Sequence, residues 1–204
     1  MNIIPVVVGQ LKTNCYLVES KGEVGIIDPG DDGEYIIDII QKKELSPVWA
    51  IATHGHFDHI LAGMEIALTY KIPFYIHTKD DFLLKDAHKS AAYFTGARVE
   101  PFIIKPDFIT DGDIIKVGDI QFKLMGAPGH TPGSICLYSK IEKALFCGDL
   151  VFEGGGVGRT DFKYSSEKDL WESIDKISKL PGDTVIHPGH GESLRVKDLK
   201  FATI

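Results

Sequence analysis

The chain has 204 residues, of which 44% are hydrophobic and 25% are charged, and its formal net charge is −7. This composition is typical of a globular protein with a sizeable core, and we predict one domain over residues 1–204. The negative charge disfavours a nucleic-acid partner, and no stretch approaches the roughly 18 apolar residues that span a membrane.

The first half of the chain predicts a hairpin followed by alternating helices and strands. Two runs, 14–19 and 24–28, flank a polar turn and predict the hairpin. The isoleucines between 36 and 40 predict one face of a helix that ends near Lys43. Further along come a buried strand at 48–53, a helix from about Ile60 and a strand at 73–77. Residues 78–111 have the least regular pattern and predict a covering loop, or alternatively a lid or pocket wall.

The second half repeats this order. Two hairpins are predicted, from 114–117 with 120–124 and from 134–139 with 143–149. Ser166, with Asp169 three residues later, predicts the start of a helix, and a short strand follows at 184–187. Because hairpins precede strand and helix in each half, we predict an α/β (α+β) fold with two sheets packed face to face and helices outside.

Cysteine usage predicts the cellular compartment. Cys15, Cys136 and Cys147 form no CxxC pair, and each lies in an apolar strand-like run. Buried core thiols in a reducing cytoplasm therefore fit the pattern better than a disulfide framework. The N-terminus has no basic segment followed by a long apolar run, which also favours a cytoplasmic protein.

The stretch HGHFDH, from His54 to His59, places three histidines and an aspartate within six residues. Residues two apart in an extended chain face the same way, so His54 and His56 are expected to point at one ion. Asp58 and His59 follow at a turn and are better placed for a second ion. Imidazole and carboxylate ligands favour zinc, iron or manganese over calcium.

Three distant motifs offer further ligands. His130 lies in PGHTPGS, Asp149 in GDLVF and His190 in PGHGE, and each follows or interrupts a predicted strand. Glycine and proline frame two of them and hold the loops in a fixed shape. Seven ligand-type residues, with an aspartate available to bridge, favour a pair of metal ions.

Together these motifs resemble the metallo-β-lactamase-fold hydrolases over nearly the whole chain. The HxHxDH motif, His130, Asp149 and His190 occur in the family's order, and IIDPG at 26–30 matches the family's early aspartate motif at Asp28. The resemblance implies a four-layer αββα sandwich with two mixed sheets. It also implies a supporting structural role for Asp28 and the presence of two metal sites. One metal would be bound by His54, His56 and His130 and the other by Asp58, His59 and His190, with Asp149 as the bridge between them.

The chemistry implied by this resemblance is metal-dependent hydrolysis. Two divalent ions, zinc first with iron or manganese as alternatives, would activate a water that attacks a carbonyl carbon. Asp58 would ligate a metal and orient the hydroxide. No serine or cysteine lies in a GxSxG or similar setting, so the chain itself is not expected to provide the nucleophile.

One segment indicates which branch of the family the chain resembles. Residues 148–162, GDLVFEGGGVGRTDF, are similar to the loop of glyoxalase II-like enzymes, which hydrolyse thioesters of hydroxyacylglutathione. A small-molecule thioester is therefore the expected substrate. Only 14 residues follow His190, too few for the helical domain that holds glutathione in glyoxalase II. The chain thus best resembles short, single-domain relatives, and the thiol carrier stays open.

Two other functions are compatible with the same residues. GRTDF at 158–162 also resembles persulfide (sulfur) dioxygenases of this fold, in which His54, His130 and Asp149 would hold one Fe(II). A non-catalytic metal-binding module is the third hypothesis, and the full set of ligands disfavours it. A homodimer is compatible with the sequence, whereas a nucleic-acid or membrane partner is not expected.

The remaining charged and imidazole side chains have simpler interpretations. Arg159 is expected to pair with a nearby aspartate and brace its loop, or alternatively to recognise a substrate carboxylate. His77, His88 and His187 are not expected to be ligands, and His88 is predicted to face solvent.

Overall fold

The computed structural model describes residues 1–103 and 105–200, which form two six-stranded sheets and four α-helices. The first sheet contains β1 Asn2–Val8, β2 Thr13–Ser20, β3 Glu23–Ile27, β4 Ser46–Ile51, β5 Phe74–His77 and β6 Asp107–Ile109. The second contains β7 Ile114–Val117, β8 Ile120–Gly126, β9 Ile135–Ser139, β10 Ala144–Gly148, β11 Val185–Pro188 and β12 Leu194–Arg195. The helices are α1 Gly33–Lys42, α2 Gly63–Tyr70, α3 Asp81–Thr95 and α4 Glu167–Ser178.

Both sheets are mixed, as the sequence analysis predicted. In the first, β1, β2 and β3 pair antiparallel, and β3 to β6 pair parallel. In the second, β7 to β10 form an antiparallel meander, β11 joins β10 in parallel, and β12 returns antiparallel. The three predicted hairpins are confirmed as β2–β3, β7–β8 and β9–β10.

The two sheets pack face to face, and helices cover their outer faces. Because successive strand residues point to opposite faces, Tyr16 and Val18 of β2 enter the core between the sheets, whereas Cys15 and Leu17 face the helices. The side of the first sheet that carries Cys15 packs against α1, α2 and α3. The outer face of the second sheet packs against α4. This is the predicted four-layer αββα sandwich.

The three cysteines are free and buried, as predicted. Cys15 belongs to the core under α1 and α2, and Cys136 and Cys147 belong to the core under α4. Burial raises the pKa of all three thiols, and that of Cys147 rises to about 12.

Two helices differ from the sequence prediction. The helix expected from Ile60 begins at Gly63, because a 3-10 turn spans Phe57–His59 and the Leu61 and Ala62 amides bond carbonyl oxygens of residues 29 and 30. Within 78–111, which was predicted to be irregular, α3 runs for 15 residues. Its buried positions do follow helical spacing, but exposed aromatic side chains between them obscure the pattern in the sequence.

The predicted ligands lie where strands end. In the first sheet β3 and β4 are parallel, and in the second β8, β10 and β11 run in one direction. The loops after these strands therefore meet at one edge of the sandwich. Among the four helices in the described part of the chain, none is long and apolar enough to cross a membrane.

Candidate metal centre

The first group of ligand-type side chains consists of His54, His56 and His130. One nitrogen of each lies within 4.8 Å of those of the other two. His54 Nε2 and His56 Nδ1 are 3.1 Å apart across Gly55. A side chain at Gly55 would place its Cβ 2.8 Å from the Cβ of Leu83, so only glycine permits this close approach of α3.

The outer nitrogen of each imidazole in this group contacts another part of the chain. His130 Nδ1 lies 2.8 Å from the backbone carbonyl oxygen of Arg159, so that nitrogen carries the proton and Nε2 faces the group with a free lone pair. His56 Nε2 lies 2.9 Å from the Tyr164 hydroxyl. Burial, assisted by neighbouring imidazoles, lowers the pKa of His56 to about 3 and that of His54 well below its usual range. Neutral imidazole is the form that binds metals.

The second group consists of Asp58, His59 and His190, again with ligand atoms within 4.8 Å of one another. Asp58 Oδ2 is 3.5 Å from His59 Nε2 and 3.3 Å from His190 Nε2. Thr13 Oγ1 donates a hydrogen bond of 3.0 Å to the same oxygen. Although burial lowers the pKa of His59, the carboxylates of Asp58, Asp28 and Asp149 raise it to about 10. The carboxylates therefore favour positive charge at this position.

Asp149 lies between the two groups. Its Oδ1 is 3.4 Å from His59 Nε2, and its Oδ2 is 3.6 Å from both His130 Nε2 and His190 Nε2. A Cβ at Gly189 would lie 2.3 Å from Oδ1, so the neighbouring loop needs glycine here. One carboxylate could thus contact ions in both groups, and the bridging role of Asp149 stays a prediction.

The chemistry of these side chains fits a pair of divalent cations. Four of their buried atoms have no hydrogen-bond partner among the described residues: His59 Nδ1, His59 Nε2, His130 Nε2 and Asp149 Oδ1. A buried polar atom without a partner costs about 1–3 kcal/mol, and cations beside His59 Nε2, His130 Nε2 and Asp149 Oδ1 would remove that cost for these three atoms. Nitrogen and carboxylate oxygen ligands suit zinc, iron and manganese.

Asp28 supports the centre from behind. Its Oδ1 accepts a 2.6 Å hydrogen bond from the Thr53 amide, and its Oδ2 accepts one of 2.8 Å from the Thr53 hydroxyl. His59 Nδ1 lies 3.1 Å from the same Oδ2, close but not aligned as a hydrogen bond. The carboxylate therefore holds the strand end that precedes His54 and lies against the ring of His59.

Asp80 is a supporting residue that the sequence analysis missed. It is fully buried, and its carboxylate accepts hydrogen bonds from Gly55 N at 2.8 Å, Gly133 N at 2.7 Å and Thr131 Oγ1 at 2.6 Å. The loop that carries His54 and His56 is thereby joined to the loop that carries His130. No local motif marks Asp80, because its partners lie 25 to 53 residues away.

A cavity of about 430 Å³ adjoins both groups. Its walls are the candidate centre, Leu11 of the loop between β1 and β2, α3 and the loop before α4. The lining residues are Leu11, His56, Phe57, Asp58, Phe82, Leu83, Asp86, Ser90, Phe94, His130, Asp149, Arg159, Phe162, Tyr164 and His190. The 78–111 segment is therefore in part a pocket wall, one of the two alternatives given for it.

Arg159 makes the contact that was predicted for it. Its guanidinium donates two hydrogen bonds, of 2.7 and 2.6 Å, to the carboxylate of Asp161 and lies 4.5 Å above the Phe162 ring. These contacts brace the loop whose carbonyl oxygen holds His130. A role in recognising a substrate carboxylate stays a prediction.

The other three histidines lie outside both groups. His77 is buried at the end of β5, where Nδ1 accepts a hydrogen bond from Lys79 N. His187 stacks on Phe146 and contacts Ser193 Oγ, and burial lowers its pKa to about 4. The prediction that His88 faces solvent was wrong for its Nδ1 atom, which is buried and has no hydrogen-bond partner in the part of the chain that the structure describes. The reason is that His88 shares a face of α3 with buried Leu84 and Ala91.

Comparison with known proteins identifies the family. The family model of the metallo-beta-lactamase superfamily matches residues 8–190. The chain belongs to this superfamily. Hydroxyacylglutathione hydrolase GloC of Haemophilus influenzae is 34% identical to it over 194 residues, which cover 94% of this chain and 91% of the relative.

Solved structures of this superfamily superpose closely on the chain. BLEG-1 B3 metallo-beta-lactamase matches with a TM-score of 0.89 at 32% identity, covering 97% of this chain and 95% of its own. TTHA1623, solved in a di-iron-bound form, matches with a TM-score of 0.88 at 32% identity, covering 96% of each chain. The superfamily shares the fold described above, and at least one similar protein binds two metal ions.

Proposed function

We propose that this member of the metallo-beta-lactamase superfamily is a metal-dependent hydrolase that cleaves a thioester. The observation that carries the proposal is the position of Asp149 between two groups of ligand-type side chains, at the wall of a cavity of about 430 Å³. The similarity to GloC, which is named as a hydroxyacylglutathione hydrolase, supports the thioester as the bond that is cleaved.

The residues that would hold the ions are those already described. One ion would take His54, His56 and His130, the other Asp58, His59 and His190, and Asp149 would contact both. Two divalent cations supply a hydroxide nucleophile at neutral pH, by lowering the pKa of water from about 15.7 to near 7, and they polarise a carbonyl oxygen. Zinc is the first expectation, with iron and manganese as alternatives.

The protein's own groups orient the reactants. Asp58 lines the cavity, and Thr13 holds one of its oxygens, so the carboxylate can accept a hydrogen bond from the attacking water. In the reaction a C–O bond forms to the carbonyl carbon, the C–S bond breaks, and the thiolate leaves with the bonding electrons and takes up a proton. The three thiols of the chain are buried outside the cavity and do not provide a nucleophile.

Hydrolysis of lactoyl-glutathione before and after chelation tests this function. We expect activity that disappears when metal is removed and returns when zinc, iron or manganese is added. Asp149→Ala should abolish it, whereas Asp183→Ala, an exposed aspartate paired with Lys143, should not.

Two results would contradict the proposal. The first is faster cleavage of a chromogenic cephalosporin than of every thioester tested, which would indicate the β-lactamase activity for which BLEG-1 is named. Oxygen consumption with a persulfide, by protein holding one iron, would favour the dioxygenase hypothesis.

A further inference from the structure

The wall of the cavity near His56 is built from stacked aromatic rings. Phe162 and Tyr164 stack with centroids 5.2 Å apart and planes at 10°, and Phe82 of α3 meets Tyr164 edge to face at 5.3 Å. The Phe162 ring is itself 5.2 Å from the His56 ring. These rings therefore extend to the candidate centre, and the Arg159 guanidinium lies over the Phe162 ring.

The opposite wall, near Asp58, is also apolar. Phe57 and Phe94 stack at 6.0 Å with planes at 10°, and Leu11 lies beside them. The exposed fractions are 41% for Phe82, 49% for Phe94 and 45% for Leu11. Large apolar side chains left this exposed around one cavity are typical of a surface that a ligand covers.

Helix α3 places its aromatic side chains at both ends of the cavity. Phe82 and Phe94 are separated by 12 residues, and Asp86 and Ser90 lie between them at four-residue intervals, so all four line the cavity along one face. The shape of the cavity therefore depends on an element that contributes no ligand to the candidate centre.

Away from the candidate centre, the walls of the cavity offer little to a negatively charged group. Among the described residues that line it, Arg159 is the one cation other than imidazole, and both of its hydrogen bonds go to Asp161. Asp86 adds a negative charge. Away from the candidate centre, the cation that a thiol carrier with carboxylate or phosphate groups would meet among the described lining residues is Arg159, which already pairs with Asp161.

We propose that the aromatic walls bind the acyl part of the thioester, and that this acyl group is bulky and apolar, such as an arylacetyl group. The thiol carrier then extends out of the cavity and is not specifically recognised. This inference rests on the proposed function and specifies its substrate class. Phe82, Phe94 and Phe162 are the specificity-determining residues.

The experiment compares acetyl and phenylacetyl thioesters on two carriers, neutral N-acetylcysteamine and glutathione. Each kcat/KM is divided by the rate constant for the reaction of the same thioester with hydroxide in the absence of protein. This division removes differences in intrinsic reactivity between the thioesters. We expect phenylacetyl to exceed acetyl by about 30-fold or more, since burial of a phenyl group of about 80 Å² is worth about 2 kcal/mol. The two carriers should differ by less than about threefold.

Two alanine variants and one control variant test whether the preference for the phenylacetyl group arises in the cavity. Phe82→Ala and Phe94→Ala should each lower the phenylacetyl-to-acetyl ratio by about tenfold. Phe108→Ala removes an aromatic side chain of similar exposure, 44%, that does not line the cavity, and it should leave the ratio unchanged.

The outcomes separate this inference from the proposed function. Equal cleavage of acetyl and phenylacetyl thioesters, or a glutathione preference above tenfold, would overturn the inference and leave a thioesterase. If no thioester is cleaved, the proposed function fails, and calorimetry with unreactive 4-phenyl-2-butanone and 2-butanone then tests the cavity. Tighter binding of the phenyl ketone that Phe82→Ala weakens would support an apolar ligand, and equal binding would overturn it.

Discussion

Each histidine of the candidate centre has one ring nitrogen directed at the centre and the other in contact with the surrounding chain. An outer contact of this kind fixes the ring orientation and raises the basicity of the inner nitrogen. The outer contacts are His54 with Thr53, His56 with Tyr164, His59 with Asp28, His130 with the Arg159 carbonyl oxygen and His190 with the Lys12 carbonyl oxygen.

The ligand-type residues were predictable from the sequence, but most of their outer partners were not. HGHFDH and the motifs around His130, Asp149 and His190 mark the seven residues locally, and the structure brings all seven together. Tyr164 contacts His56 across 108 positions, and Thr13 contacts Asp58 across 45. Such partners carry no local pattern, because only the folded sheets bring them near the centre.

His190 distinguishes two metals from one. We predict that His190→Ala lowers the metal content from two ions to one per chain and reduces thioester hydrolysis by at least about 100-fold, since it removes a ligand of one site only. His88→Ala, which removes a histidine outside both groups, is the matched control. Metal analysis and hydrolysis rates of the two variants check this. Full activity in His190→Ala would contradict the two-metal arrangement.

Asp80 is predicted to position the ligands of the first group. In Asp80→Asn either orientation of the amide sets its NH₂ against a backbone N–H, that of Gly55 or that of Gly133. We therefore expect zinc to bind about 10- to 100-fold more weakly at the first site, measured by competition with a chelator below the unfolding temperature.

The control for this variant is the adjacent Asp81→Asn, whose carboxylate pairs with Lys85 and not with either ligand loop. A purely structural role for Asp80 would lower the thermal stability of the metal-free protein and leave its zinc affinity at the wild-type value. That result would contradict the positioning role.

Among the secondary-structure elements, α4 shows how local signals in the sequence also support the centre. Ser166 is its N-cap, and the Ser166 hydroxyl accepts a hydrogen bond from Asp169 N, as the spacing of these residues predicted. The Ser166 amide bonds the Gly129 carbonyl oxygen, and Ser165 Oγ bonds the His130 carbonyl oxygen. The start of this helix therefore holds the loop that presents His130.

Loss of this cap should be measurable. We predict that Ser166→Ala lowers the free energy of unfolding by about 1 kcal/mol, because the Asp169 amide loses its acceptor. Ser166→Asp, which restores an acceptor, should recover most of it, and urea unfolding measures both. An unchanged stability in Ser166→Ala, or no recovery in Ser166→Asp, would contradict the capping role.

Helix α3 could not be predicted with the same ease. Its buried residues, Leu83, Leu84, Ala87 and Ala91, follow helical spacing, but Phe82, Tyr93 and Phe94 are apolar and exposed. Exposed aromatic side chains break the apolar–polar periodicity on which helix prediction rests. Two of these exposed side chains, Phe82 and Phe94, line the cavity, so the pattern fails where side chains form the cavity wall rather than the core.

In the molecule as a whole, the candidate centre joins the two sheets. His54, His56, Asp58 and His59 follow a strand of the first sheet, whereas His130, Asp149 and His190 follow strands of the second. Hydrogen bonds from β2 of the first sheet to the end of β11 also support this junction, with Asn14 N bonded to the Gly189 carbonyl oxygen at 2.7 Å and Tyr16 Oη to the Pro188 carbonyl oxygen at 2.7 Å. Bound cations would therefore connect both halves of the sandwich.

The metal content per chain is the most direct test of the two-metal hydrolase. Protein purified without added metal would be analysed for zinc, iron and manganese by mass spectrometry, with the chain concentration measured on the same sample. We predict two ions per chain, with one ion lost in His190→Ala. One iron per chain in the wild-type protein, unchanged in His190→Ala, would contradict the bridging role of Asp149 and the hydrolytic chemistry that depends on it.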